Sequence, residues 1–314
     1  MIIIIVLLLS HFALSQSDKK IPELDLRNSN LVIDIKMDNL FNSPIDKSKI
    51  LIPEQIDEIK DKSRNFEIEP ISDDDIVVFE TNLGTMKINL FNDFAPNHCA
   101  NFKKLSNSGF YDETLLFRIV QNFMIQGGDI LTRDGDQEND GTGNPGWTIN
   151  AEINNLKHKR GILSMTHGSD INSAGSQFFI CLSESKHLDN NYTIFGEIVE
   201  NIELLNTIQN VPSESKQILS LARKSIPEES NEEWITYSFN DTNYYFKIPT
   251  NETEESYRKL ISKRINNIYR PSIPVIVKKI RVLNKKSLSD EDKKNKLDFN
   301  LLYNKNKKIK TNNE

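Results

Sequence analysis

Short runs in which apolar and polar residues alternate recur through the middle of the chain, as expected for β-strands with one buried face. Residues 76–81 and 85–90 are two such runs, and Asn82-Leu83-Gly84 between them predicts a hairpin turn. Further runs predict strands at 161–165, 176–181, 193–198, 234–239 and 273–282. Strands this frequent favour an antiparallel barrel or sandwich.

Helical spacing of apolar residues replaces the alternation in a few places. Residues 95–105 predict one helix, with Asp93 as its N-cap and Gly109 just past its end, where a left-handed residue is favoured. Residues 201–209 and 252–268 predict two more helices.

One hairpin carries the candidate chemistry. Residues 116–129 predict two short strands joined by a turn at Gln121-Asn122, with Arg118 and Gln126 eight residues apart. An even spacing on extended chain keeps side chains on one face, and the parity supports a surface shared by Arg118, Phe123 and Gln126 only if the turn shifts the phase by one residue. The pattern leaves two interpretations open, a solvated arginine and a functional surface.

The flanks differ from this central region of residues 74–284. Residues 1–15 resemble a cleavable signal peptide that ends after Ser15, which predicts an exported protein, although a basic residue before the apolar run is missing and a membrane anchor is the alternative. Residues 16–73 predict a polar, loosely structured leader, in which Leu31–Ile35 favours a short strand and Glu54–Lys62 one or two helical turns. Residues 285–314 are rich in Lys and Asn, which predicts a disordered tail.

The amino-acid composition and net charge indicate the kind of chain and argue against one class of partner. Hydrophobic residues make up 37% of the 314 residues and charged residues 27%, which predicts one core with polar appendages. A net charge of −6 argues against nucleic acid as a main partner. Cys99 and Cys181 are predicted to be buried free thiols.

Several chemistries lack the residues that they require. The histidines and cysteines show no metal-ligand spacing, Gly141-Thr142-Gly143 lacks the lysine of a phosphate loop, and neither Ser164 nor Ser176 lies in a nucleophile elbow. No metal or cofactor is therefore predicted. The remaining candidate set combines an arginine, an amide and apolar side chains: Arg118, Gln126, Phe123, Met124, Phe179 and Leu188.

The run Phe117–Asp129, Phe-Arg-Ile-Val-Gln-Asn-Phe-Met-Ile-Gln-Gly-Gly-Asp, resembles the signature of the cyclophilin family of peptidyl-prolyl isomerases. Further blocks resemble the family in order and spacing, at residues 141–143, 161–165, 175–180 and 188–196. The resemblance covers residues 74–212 and resumes at 271–283, so that 213–270 is expected to be an insertion, either a lid, a substrate clamp or an inert elaboration. It implies a closed eight-stranded antiparallel barrel capped by two helices.

The resemblance also implies roles. Arg118 matches the catalytic arginine, which would stabilise the twisted X–Pro bond. The implied proline pocket and its surroundings comprise Phe123, Met124, Gln126, Thr166, His167, Gln177, Phe179, Leu188 and Tyr192. In these roles, Gln126 orients Arg118 or holds the substrate carbonyl, Gln177 shapes the same face, and the backbone near His167 pairs with the substrate.

Some positions depart from the family pattern. Phe117 replaces a usual histidine, Thr166-His167-Gly168 stands where Ala-Asn-Ala is common, and Tyr192 replaces a histidine as in many bacterial-type members. His187 occupies the place of a tryptophan associated with tight cyclosporin binding, so weak affinity for that drug is expected.

The expected partners are proline-containing peptides and unfolded exported proteins, and the expected oligomeric state is a monomer. A non-catalytic module that holds proline-containing partners is the alternative. Three glycosylation sequons begin at Asn191, Asn240 and Asn251, and they matter only in a eukaryotic secretory pathway.

Overall fold

The computed structural model describes residues 47–228 and 230–285. The α-helices are α1 Pro53–Asn65, α2 Pro96–Ser108, α3 Leu204–Gln209, α4 Glu214–Leu221 and α5 Glu254–Asn266, with 3₁₀ turns at Lys47–Lys49, Ile130–Arg133 and Lys186–Leu188. The strands are β1 Asp75–Thr81, β2 Gly84–Leu90, β3 Thr114–Leu115, β4 Arg118–Val120, β5 Met124–Gly127, β6 Ile162–Met165, β7 Phe178–Cys181, β8 Ile194–Glu200, β9 Trp234–Phe239, β10 Thr242–Lys247 and β11 Ile276–Asn284. The signal-peptide, short-strand and most tail predictions lie outside the described residues.

Within the described residues, nine strands form one antiparallel sheet in the order β3-β11-β1-β2-β8-β6-β7-β5-β4, while β9 and β10 pair separately. The strands at its two ends are neighbours in the chain, since only Leu116 and Phe117 separate β3 from β4. The sheet must therefore curl until its ends lie close together. The expected closed barrel of eight strands is instead an open, curled sheet of nine, because residues 114–120 form two short strands that do not pair with each other within the described structure.

The sheet buries one face in the main core. Ile119, Ile125, Ile180 and Leu163 are register partners across β4, β5, β7 and β6, and all four belong to that core. Because side chains alternate along a strand, their neighbours on each strand point to the opposite face. That opposite face carries the candidate site.

Helix α2 is capped by a distant residue. The predicted N-cap Asp93 is wrong, because the N-cap is Ala95, which offers no side-chain acceptor. The Glu152 carboxylate takes this role and accepts hydrogen bonds from the backbone N–H groups of Asn97 at 3.0 Å and His98 at 2.9 Å. At the other end, Gly109 adopts a φ of 88°, as predicted for the C-cap.

We expect Glu152→Gln to lower the free energy of unfolding by about 1–2 kcal/mol at pH 7, since two helix N–H groups lose a charged acceptor. Burial by itself would raise the pKa of Glu152, but the hydrogen bonds from Asn97 and His98 outweigh burial and lower it. A lowered pKa stabilises the fold above the unfolded value of about 4.3, and this contribution is lost as the pH falls. Urea unfolding should therefore show the difference between the proteins shrinking below about pH 4.

The exposed Glu197→Gln variant is the control for this experiment. Its free energy of unfolding should equal that of the wild type both at pH 7 and below about pH 4. A Glu152→Gln protein that matched wild-type stability at pH 7 would contradict the capping role.

The packed region begins before residue 74. Helix α1 has 13 residues, longer than the one or two turns predicted. It buries Ile56 in the main core, and the Ser63 hydroxyl lies 2.8 Å from the Ser108 hydroxyl of α2. Part of the predicted leader is thus an ordered element of this unit.

The 213–270 segment holds α4, the β9–β10 hairpin and α5. Helix α4 is capped by Ser213, whose hydroxyl accepts from Lys216 N, and α5 is capped by Thr253, whose hydroxyl accepts from Ser256 N. Each of these elements carries buried apolar side chains: Ile218, Ile235, Phe246, Tyr257, Ile261 and Ile265. The sequence predicted β9 and α5, whereas α4 and β10 were not predicted.

The state of the two cysteines and the lengths of the helices are further features of this fold. Cys99 and Cys181 are buried free thiols, as predicted, and burial raises the pKa of each to about 12. Across residues 47–228 and 230–285, the helices are all too short or too polar to cross a bilayer.

Candidate active site

Strand register aligns the main candidate residues in one row. Arg118 on β4 lies opposite Gln126 on β5, which lies opposite Phe179 on β7, and Phe179 lies opposite Ser164 on β6. Directly opposed residues share a face of the sheet, so the predicted common surface of Arg118 and Gln126 is confirmed. The turn between the two strands spans three residues, with Asn122 in the left-handed region at a φ of 59°.

A chain of amide hydrogen bonds leads away from the arginine. Arg118 Nη1 donates to Gln126 Oε1 at 3.2 Å, and Gln126 Nε2 donates to Gln177 Oε1 at 3.0 Å. Gln177 Nε2 then donates to the carbonyl oxygens of Gly141 at 2.9 Å and Gly143 at 2.8 Å. Each amide is therefore fixed in orientation by its neighbour, and the guanidinium is attached to a rigid array.

Asp129 anchors the far end of this array, although no role for its side chain was predicted from the sequence. Its Oδ2 accepts from the backbone N–H groups of Gly141 at 2.5 Å and Gly143 at 3.1 Å, and its Oδ1 accepts from Leu131 N at 2.7 Å. Burial raises the pKa of this carboxyl group. A Cβ at position 143 would lie 1.9 Å from Asp129 Oδ1, so only glycine fits there.

The predicted pocket residues come together beside the arginine. Met124 and Phe179 are buried in a second apolar cluster, separate from the main core, and Phe123, Leu188 and Tyr192 pack against it. The Tyr192 ring meets Phe179 edge-on, with centroids 5.4 Å apart. These side chains come from three separate parts of the sequence and form one apolar surface next to Arg118 and Gln126.

A buried network supports Phe179 from beneath. His158 stacks on the Phe179 ring with centroids 5.9 Å apart, and its Nδ1 and Nε2 lie 3.0 Å from Asp189 Oδ1 and 3.1 Å from Ser164 Oγ. The arrangement has the residue types of a hydrolytic triad, yet Ser164 is fully buried and donates to the carbonyl of Thr193. It is therefore inaccessible as a nucleophile, and the network packs His158 against the Phe179 ring.

Two histidines lie at the rim. His167 stacks on Tyr192 with centroids 4.5 Å apart, and its Nε2 lies 2.9 Å from the carbonyl oxygen of Asn191. Thr166 N donates to the carbonyl of Gln177 at 2.9 Å, which joins this loop to the row of amides. His187 is exposed and stacks on Phe123 with centroids 5.4 Å apart.

Tyr269 is a contact of the arginine that the sequence did not reveal. Arg118 Cζ lies 5.3 Å from the centroid of the Tyr269 ring, and the Tyr269 carbonyl accepts from Ile119 N at 2.8 Å. The residue belongs to the 213–270 segment, where no motif drew attention to it. Its role depends on a long-range contact, which only the folded chain reveals.

Several known proteins are similar to this chain. The family model described as cyclophilin type peptidyl-prolyl cis-trans isomerase/CLD matches residues 76–225. A peptidyl-prolyl cis-trans isomerase of Synechococcus elongatus is 41% identical over 135 residues, covering 42% of this chain and 88% of the relative. The isomerase CYP18-1 of Arabidopsis thaliana is 41% identical over 140 residues, covering 42% of this chain and 81% of the relative. A solved Cryptosporidium parvum cyclophilin, determined in the presence of the dipeptide ala-pro, aligns with a TM-score of 0.45 at 28% identity, over 66% of this chain and 98% of that chain.

Proposed function

The chain belongs to the cyclophilin-type peptidyl-prolyl cis-trans isomerase family, and we propose that its isomerase activity resides on the surface formed by Arg118, Gln126 and Phe179. The supporting observation is the register of β4, β5 and β7, which places a cation, an amide and an apolar ring side by side. These are the three kinds of group that an X–Pro substrate requires: a donor for its nitrogen, a polar partner for its carbonyl and an apolar pocket for its ring.

The mechanism needs no proton transfer. Rotation about a peptide bond costs about 18–20 kcal/mol because the nitrogen lone pair is delocalised into the carbonyl group. In the twisted state that lone pair is localised on the prolyl nitrogen, where the Arg118 guanidinium can donate a hydrogen bond to it. The donor binds the twisted state more strongly than the planar ground states, and this difference lowers the barrier.

The surrounding residues determine substrate position. The apolar surface of Phe123, Met124, Phe179 and Leu188 receives the proline ring, while Tyr192 closes one side of it. Gln126 is fixed between Arg118 and Gln177, so it orients the guanidinium and presents its amide towards the substrate. Thr166 and His167 supply the rim along which the extended substrate backbone lies.

The direct test measures the rate at which the wild-type protein converts the cis isomer of a proline-containing peptide to the trans isomer. A rate above the uncatalysed background, increasing with enzyme concentration, is expected. The competing proposal is a non-catalytic binding module, which the changed Thr166-His167-Gly168 rim favours. Measurable peptide affinity with no acceleration would support that module and reject the enzyme.

The site is proposed to bind cyclosporin weakly, because His187 stands where tight-binding relatives have tryptophan. We expect His187→Trp to tighten cyclosporin binding about tenfold, equivalent to about 1.4 kcal/mol, since a larger aromatic surface would lie beside Phe123. Calorimetric titration of both proteins measures the change.

Lys186→Trp is the matched control, because Lys186 is an exposed neighbour in the same 3₁₀ turn. It adds the same ring next to the site and should leave the affinity close to wild type. Equal affinities for the two tryptophan variants would show that position 187 has no special role.

The subgroup, the oligomeric state and the cellular location of the protein are also proposals. We propose a monomeric member of the bacterial-like subgroup that is exported and assists the folding of other exported proteins, with 213–270 as an insertion before the last strand. The apolar run before Ser15 supports export, and Tyr192 supports the subgroup. An N-terminus beginning at Met1 in the mature protein would reject cleavage after Ser15.

A further inference from the structure

The guanidinium of Arg118 is restrained from two directions. Gln126 Oε1 accepts from Nη1 at 3.2 Å and so holds one edge of the group. The Tyr269 ring lies against it with Cζ 5.3 Å from the ring centroid, a distance at which a cation is attracted to an aromatic face. An amide and an aromatic ring together limit the rotation of a side chain that has four flexible bonds.

The position of Tyr269 is set by its backbone and by its neighbour in the chain. Its carbonyl accepts from Ile119 N at 2.8 Å, which attaches it directly to the strand that carries Arg118. The next residue, Arg270, forms an ion pair with Asp140 and donates from Nη2 to the Gln137 carbonyl at 2.8 Å. Tyr269 as a residue is 41% exposed, so burial in the core does not explain its place beside Arg118.

Other residues of the 213–270 segment contact the β4–β5 hairpin and the neighbouring loop of residues 133–147. Lys216 Nζ donates to Gln121 Oε1 at 2.7 Å, and Gln121 Nε2 donates to the Gln209 carbonyl at 2.9 Å. Lys263 forms an ion pair with Glu138 in the neighbouring loop. The segment is therefore joined to the β4–β5 turn and to the 133–147 loop by side chains from α4 and α5.

We propose that Tyr269 is a positioning residue for Arg118 and that the 213–270 segment acts on the isomerase site through this one side chain. The inference rests on the proposed function of Arg118. Tyr269 holds the guanidinium in the direction needed for donation to the prolyl nitrogen, so its orientation is established on folding rather than during each turnover. Because Tyr269 is not among the pocket residues, it affects the catalytic step and leaves peptide binding unchanged.

Three substitutions at Tyr269 distinguish an effect of the aromatic ring on kcat from an effect of side-chain volume. Tyr269→Phe keeps the ring and should retain wild-type kcat. Tyr269→Leu keeps apolar volume without the ring, and Tyr269→Ala removes both; each should lower kcat about threefold to tenfold, the range of a partly exposed cation–π contact. The KM and the affinity for a proline-containing peptide should stay at the wild-type values in all three.

Tyr244→Ala is the matched control. It removes a second cation–π contact in the same segment, in which Lys224 Nζ lies 3.7 Å from the Tyr244 ring centroid. Its kcat should equal that of the wild type, and thermal unfolding of every variant verifies that the protein is folded. A lowered kcat in this control, equal to that of Tyr269→Leu, would assign the effect to the segment as a whole and overturn the proposal.

A double substitution gives the sharpest test. If Tyr269 acts through Arg118, then Arg118→Ala with Tyr269→Leu should be no slower than Arg118→Ala alone. Additive losses, full kcat in Tyr269→Leu, or a raised KM with kcat unchanged would each overturn the inference. An inactive wild type would instead reject the proposed function, so the two failures are distinguishable.

Discussion

Arg118→Ala is expected to reduce kcat/KM for proline isomerisation about 10²–10³-fold, the loss typical of removing one donor that stabilises a transition state. In the proposed mechanism, the guanidinium donates to a lone pair that is available only in the twisted state. Peptide affinity should change far less, because the proposed pocket for the proline ring is the apolar cluster containing Met124 and Phe179, which the substitution leaves in place. Isomerisation kinetics and equilibrium titration with the same peptide separate the two quantities.

The Arg118→Lys variant tests whether the charge of Arg118 alone is sufficient for activity. A lysine keeps the charge but lacks the planar fork that can donate to Gln126 and to substrate at once, so its activity should fall between the wild type and Arg118→Ala. Arg258→Ala, on the exposed surface of α5, removes a positive charge outside the site and should leave the rate unchanged. Equal rates for the wild type and Arg118→Ala would reject Arg118 as the catalytic group.

Asp129→Ala is expected to lower the free energy of unfolding by about 3 kcal/mol, since three backbone N–H groups lose a buried acceptor and each such loss costs about 1–3 kcal/mol. Activity should fall as well, because the Gly141 and Gly143 carbonyls that hold Gln177 are no longer fixed. Urea unfolding and isomerisation kinetics at a temperature where the variant is folded measure both effects.

Asp136→Ala tests whether the effect belongs to Asp129 alone. Asp136 lies in the same loop and accepts one backbone N–H, that of Glu138, but it is exposed. Its removal should cost less than about 1 kcal/mol and leave the rate at the wild-type value. If Asp129→Ala unfolded at the same urea concentration as this control, Asp129 would not be the anchor of the loop.

Local periodicity predicted those elements whose partners are close in sequence. The β1–β2 hairpin and helix α2 with its Gly109 C-cap follow from apolar spacing and turn residues within about a dozen positions. The shared face of Arg118 and Gln126 follows in the same way, because strand alternation and one short turn determine it. The proposed proline-pocket residues could be predicted only through resemblance, since they lie in separate blocks of the sequence.

Features that depend on distant partners were not accessible from the sequence. Asp93 was the natural local cap for α2, but the acceptor is Glu152, which only the fold brings to the helix. Similarly, Tyr269 reaches Arg118 from a segment that matched none of the family blocks. The expected eight-stranded closed barrel failed for a related reason: the bend at Leu116 and Phe117, where Leu116 N donates to the Val275 carbonyl, depends on the far end of the chain.

The order of strands in the sheet also has a consequence for biosynthesis. Strand β1 lies early in the chain, yet one of its two neighbours in the sheet is β11, which is synthesised much later. Where these two strands meet, Asn82 donates a hydrogen bond to the carbonyl of Pro274, 192 residues further along the chain. At ribosomal rates of about 5–20 residues per second, this edge of β1 waits roughly 10–40 s for its partner. During that interval the nascent chain presents an unpaired strand edge, so a chaperone that shields such edges would raise the yield of this protein.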